Sequence, residues 1–400
     1  MSHSNFEEIK QSCAEYFDKC RIGESFAFRP YIDSPDKTLY SSVFAVMTYH
    51  YAGMLTRFSD AQKTAWADYI LSFQSPETGL FDSDELHDGV GEYHNLEHRQ
   101  LHLTCHVLPA LYLLGVKSYR PIKYTEKFLD QKSFLEWLEN RNLSMAWVEG
   151  NNLFFAGQLL IHEIENFNRG HESLELLFKW LEEKVDPSTA LWGTDHGCTL
   201  HKAMYGAYHQ LILYFYKNRP VPYIERLIDS TLACQHIDGG FSEWRGGGTC
   251  QDIDGLDILV NCYKLTNYRA RDIRNSLRKA LHHIMKDRAI TSGGFQDRAG
   301  HEFIHNSMPK TRTPLNESNT FSTWFTLHAI VDIGSVLHSD SFFNDNHSSK
   351  FLFNNSCSMG WGRCDVVKEY SALEQWWDKS KFMFNRIIVA LYDAKTQLKK

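Results

Sequence analysis

A short turn recurs along this chain, and each time an apolar helix follows it. "YILSFQSPETGLF" (Tyr69 to Phe81) and "CQHIDGGF" (Cys234 to Phe241) share a Gln, a turn, a Gly and an aromatic. "STALWGTDHG", "SGGFQDRAG" and "SMGWGRCD" repeat the small-residue and aromatic part, while "AFRPYIDS" and "MAWVEGNN" are weaker members. The aromatics Phe28, Phe81, Trp147, Trp192, Phe241, Phe295 and Trp361 stand about 45 to 66 residues apart. Self-similarity of this kind marks one supersecondary unit that buries its apolar face only against its neighbours.

The segments after the turns include "LYSSVFAVMTYHYAGML", "NLEHRQLHLTCHVLPALYLLG", "CTLHKAMYGAYHQLILYFY" and "SNTFSTWFTLHAIVDIG". Apolar residues cover nearly the whole circumference of several of them, the mark of buried helices. Between them lie amphipathic, charged segments such as "YIERLIDSTLACQ" and "RARDIRNSLRKALHHIMK". Strand-like alternation is almost absent. Buried and exposed helices in alternation predict an all-α fold, an α/α toroid of about six to seven helical hairpins with inner and outer rings. No Pro- or Ser-rich linker divides the chain, so residues 1–400 read as one domain, with the repeats over about 25–395.

With 43% hydrophobic residues, the chain can bury a large core. A net charge of −7 with mixed signs excludes a nucleic-acid footprint. No apolar run approaches the ~18 residues of a membrane span, and "MSHSNFEEIKQSC" lacks a signal peptide's basic end and apolar core. Nine scattered cysteines without a CxxC pair point to reduced thiols and a cytoplasmic setting. The sequence carries no signal of oligomeric state.

Gln74, Gly79 and Phe81, with Gln235, Gly239 and Phe241, resemble the Gln-Trp repeat of squalene-hopene cyclases and related class II terpene cyclases. Gly-Gly-Phe before an inner helix also resembles the β subunits of protein prenyltransferases, which belong to the same α/α-toroid superfamily. The resemblance implies a single-barrel, terpene cyclase-like enzyme that cyclises or isomerises an isoprenoid. The motif to test is "DIDG", Asp252 to Gly255, which is similar to the Asp-x-Asp-Asp of those cyclases with Gly255 in the last place. By the resemblance, Asp254 is the general acid and Asp252 its partner. Asp257, one turn on and facing the same way, supplies a neighbouring carboxylate that raises the pKa of Asp254. The plainer alternative is that Asp252 caps the helix and Asp254 is a first-turn charge. A diphosphate substrate would call for Mg2+ held by carboxylates, but no dedicated metal motif is present. The prenyltransferase zinc set is not matched: Leu256 stands where its Cys belongs and Ser322 where its His belongs. No metal ligand is therefore assigned.

In such a barrel the starts of the inner helices converge on one mouth. That mouth is expected to gather His98, His102, Asn151, Asn152, His201, Lys202, Ser322 and Tyr370 around a small-molecule substrate, with Trp324 and Trp376 as aromatic walls. So many bases are at odds with carbocation chemistry. A second reading is therefore a carbohydrate-acting barrel (epimerase, lyase or hydrolase) using His, Tyr or Asp as acid and base, with Tyr93, His94, His201 and Tyr208 as candidates. A third is a barrel that binds its ligand without turning it over.

Overall fold

The computed structural model describes residues 5–343, except 92–93, 117–118, 291–292 and 339. Twelve helices of nine or more residues alternate between two rings. The outer helices are α1 (Phe6–Cys20), α3 (Asp60–Leu71), α5 (Gln131–Glu139), α7 (His171–Lys184), α9 (Ile224–Ala233) and α11 (Ala270–Asp287). The inner helices are α2 (Leu39–Tyr51), α4 (Leu96–Leu113), α6 (Ala146–Phe167), α8 (Leu200–Tyr216), α10 (Thr249–Leu265) and α12 (Thr320–Leu337). Each inner helix packs on the next, and α12 returns to α2, so the ring closes with six members. This is the α/α toroid that the repeats predict. The last turn, with Trp361, and the segment after it, with Tyr370 and Trp376, lie outside the described residues.

Burial follows the two kinds of helix in the sequence. Every residue of α12 is buried, as an inner helix flanked on both sides and backed by the outer ring requires. In α11 only one stripe is buried, including Ile273, Leu277, Ala280 and Ile284. Inner-helix starts carry caps that fix their entry: Thr38, Asn95, Thr199 and Asn319 each accept a backbone N–H three residues on.

The repeated turn has a direct physical basis. Gln74 donates its side-chain amide to the Gly79 carbonyl at 2.9 Å, and Gln235 donates to the Gly239 carbonyl at 3.0 Å. Gly239 has φ of 106°, and a Cβ there would lie 2.3 Å from the carbonyl oxygen of Lys279 on α11. Only glycine allows that conformation and that approach. The following aromatics, Phe81 and Phe241, are buried between the rings. Among the described residues, extended pairing is confined to isolated bridges such as Gln74 with Phe81. No described helix is long and apolar enough to cross a membrane.

Candidate active site

The ring encloses a cavity of about 400 Å³, reached from the side where the inner helices begin. His98 and His102 of α4, Trp147 and Asn151 of α6, Tyr208 and His209 of α8, and Asp254 of α10 line it. Phe321 and Phe325 of α12 complete the wall. His94, just before α4, and the segment Phe303–Asn306, between α11 and α12, close over it. Asp254 is the only carboxylate among these lining residues.

Burial sets the protonation of the cavity. The carboxyl of Asp254 is pushed well above the usual range, first by burial and then by the charges of Asp257 and Asp252. Both causes favour its protonated, neutral form. The histidines move the opposite way: His98 is pushed down to about 3 and His209 to about 4, each chiefly by burial. His102 and His305 lie well below the ordinary value, again from burial first and neighbouring imidazoles second. The cavity therefore favours the protonated form of its carboxylic acid and the neutral form of its imidazoles.

Among the lining imidazoles, His209 has its tautomer set by the backbone. His209 Nδ1 donates to the Tyr205 carbonyl at 2.7 Å, which leaves Nε2 as the bare lone pair. Tyr40 bonds His102 Nδ1 at 2.9 Å, and the rings of His102 and His106 lie 4.4 Å apart. Three lining atoms, Asp254 Oδ2, the Tyr208 hydroxyl and His305 Nδ1, are buried without a hydrogen-bond partner among the described residues. Buried polar groups are rarely left this way, except where a ligand completes them.

The expected acid pair separates in space. Asp252 does not face the cavity: it accepts from Phe241 N–H at 2.6 Å and pairs with Arg288, whose guanidinium also donates to the Gly247 carbonyl. It is the clamp that ties the Gly-Gly-Phe turn to α10. Asp257 lies one turn below Asp254, outside the lining, and accepts from Asn261 at 3.0 Å. It is grouped with His328 and Asp332 of α12.

Of the expected binding residues, His98, His102 and Asn151 line the cavity. Asn152 points to Glu149, His201 donates to the Cys234 carbonyl, and Lys202 is exposed. Ser322 is buried, and Trp324 stacks on Phe44 at 4.9 Å inside the wall. None of these five contributes to the lining. Tyr370, Trp376 and Tyr93 lie outside the described residues. His94 and Tyr208, candidates of the carbohydrate reading, do line it. His209 and His305 are the residues that sequence reasoning missed. His209 directly follows the candidate Tyr208 on α8, but no spacing in the sequence singles it out. His305 sits on an irregular segment with no periodic signal.

No protein-family model and no curated protein sequence matches the chain. Two solved structures align with 83% of it and with 98% of their own chains, each at 13% identity. One is a polysaccharide lyase, with a TM-score of 0.46. The other is a glycosyl hydrolase of family 88 from Bacteroides vulgatus, with a TM-score of 0.48. At that distance they carry no assignment of activity. Neither is a terpenoid cyclase or a prenyltransferase, and the resemblance to those families fails at the site itself. A Cβ on Gly255 would meet the Phe241 ring at 2.4 Å, so the last Asp of the cyclase motif has no room. Asp252 is committed to Arg288. Five imidazoles in the wall would intercept a carbocation as soon as Asp254 made one. The isoprenoid expectation is withdrawn, and the Mg2+ inferred from a diphosphate goes with it.

Proposed function

We propose that this chain is a carbohydrate-acting enzyme that moves a proton at a sugar carbon, as epimerases and lyases do. The observation that carries the reading is the pairing of one neutral carboxylic acid, Asp254, with an oriented neutral base, His209, in a cavity of sugar size. Proton abstraction needs a bare lone pair, which His209 Nε2 has, and an acid that stabilises or protonates the developing oxyanion. Asp254 is suited to that task because burial favours its protonated form. Trp147, Phe321 and Phe325 offer flat faces to the C–H side of a pyranose, while Tyr208, His305 and Asn151 meet its hydroxyls. Glycoside hydrolysis fits less well: it ordinarily uses two carboxylates about the bond, and Asp254 stands alone in the lining. A cytoplasmic setting is consistent with the described cysteines, which are free thiols.

The test is proton exchange. The purified protein is incubated in D2O with uronate oligosaccharides and with neutral and N-acetylated monosaccharides. Deuterium at carbon is read by NMR, and unsaturated products by ultraviolet absorbance. Wash-in or elimination that is lost in both Asp254→Asn and His209→Gln supports the reading. The Asn variant is also expected to be at least as heat-stable as the parent at pH 8, because it removes a buried group that resists ionisation. Saturable sugar binding with no exchange would instead make this a binding barrel. Neither exchange nor binding across the panel would sink the sugar reading.

A further inference from the structure

Beneath the cavity, between α10 and α12, three side chains of metal-ligand type converge. A ligand atom of Asp257, one of His328 and one of Asp332 all lie within 4.8 Å of one another. All three residues are buried, at 4%, 0% and 1% exposure. Two carboxylates and an imidazole in such a place need an account, because burying carboxylates without a counter-charge is costly.

We propose that Asp257, His328 and Asp332 bind one divalent transition-metal ion, of the zinc or manganese type. Two geometric observations suit a bound ion. His328 Nε2 lies 3.1 Å from Asp332 Oδ2, a close approach of two groups of ligand type. A separation of about 3 Å is what two adjacent ligands adopt when each sits about 2.1 Å from a shared ion. The second observation is Asp257 Oδ2, buried without a hydrogen-bond partner among the described residues, while its other oxygen is held by Asn261 at 3.0 Å. That is the arrangement of a ligating carboxylate oriented by an outer amide. On its other side, the Tyr51 ring stacks on His328 at 5.1 Å and fixes the plane of the imidazole. Two carboxylates and one imidazole form a mixed oxygen–nitrogen set, which suits Zn2+ and Mn2+ better than a thiolate-seeking ion.

The site is separate from the cavity and does not depend on the sugar reading, since none of the three ligands lines the cavity. Its role is to join two neighbouring inner helices.

The experiment uses the whole chain, stripped with a chelator and dialysed separately against Zn2+, Mn2+ and Mg2+. Metal content is read by mass spectrometry and the melting temperature by calorimetry. About one Zn2+ or Mn2+ per chain is expected, with a rise in melting temperature, and the better-bound ion names the occupant. Asp257→Asn and His328→Gln, both close in shape, are each expected to lose affinity by on the order of 100-fold or more. Co2+ in the unaltered protein gives an independent reading if either variant fails to fold: an oxygen–nitrogen set shows ligand-field bands without a thiolate charge-transfer band. Substoichiometric binding of every ion, unchanged binding in a folded variant, or a thiolate band would each overturn the proposal.

Discussion

Replacing His98 with Gln tests whether the cavity really holds uncharged imidazoles. The His98 ring is 6% exposed and packs against Phe155 at 5.3 Å. Burial, helped by His94 and His209, pushes its pKa from 6.5 down to about 3. In the unfolded chain the ordinary value returns. Between those two values the unfolded state binds a proton that the folded state refuses, so stability falls as pH falls. The loss begins near pH 6.5 and is complete only below about 3. At pH 5.0 the proton-binding ratio of the two states corresponds to about 1.5 pKa units, or about 2 kcal/mol. At pH 7.5 the contribution is almost nil. His98→Gln removes this term alone from the pH dependence, whatever else it does to packing. Urea unfolding of both proteins at pH 7.5 and 5.0 should show the variant losing about 2 kcal/mol less than the parent over that interval. Equal losses would mean that His98 titrates normally, and the case for neutral bases in the cavity would fall with it.

Two further substitutions test the frame around the site. Arg288→Met leaves Asp252 buried with the Phe241 N–H and with His283, at 3.6 Å, and should cost roughly 3–5 kcal/mol in urea unfolding. A loss under about 1 kcal/mol would show that the clamp on the Gly-Gly-Phe turn is not electrostatic. Gly206→Ala would place a Cβ 2.2 Å from the Ala146 carbonyl oxygen, where α8 and α6 meet. Overpacking of about 1–3 kcal/mol should outweigh a helix-propensity gain of about 1 kcal/mol, so a clear net stabilisation would contradict the close contact.

The fold was legible because its signal recurs. A Gln that closes a turn onto a Gly carbonyl has the same purpose at Gln74 and at Gln235, and the intervening helices differ visibly in how much of their surface is apolar. The site was legible only by height along the barrel. Placing candidates at inner-helix starts found His98, Asn151 and Asp254, but it carries no information on rotation about the helix axis. Successive residues differ by about 100°, so Asn151 faces the cavity while Asn152 turns to Glu149. The same geometry separates Asp254 from Asp252, two residues apart and on different faces. Asp257 shares a face with Asp254 but stands a turn deeper, where it meets α12 instead of the cavity. The motif likeness to terpene cyclases misled for a related reason: three acidic positions in a row of letters are three different environments on a helix.

Closure of the inner ring has a consequence for how the molecule comes apart. In an open stack of hairpins, the outermost unit has one neighbour and peels first. Here α12 lies against α2, so each of the six inner helices has a companion on both sides. Among the described residues no hairpin is outermost, so melting has no free end of the ring to start from, and removing any one hairpin breaks two interfaces at once. Unfolding of the ring should therefore run as a single transition. A cut between α7 and α8, with the first and last residues of the chain joined by a linker, should leave the circle of contacts intact.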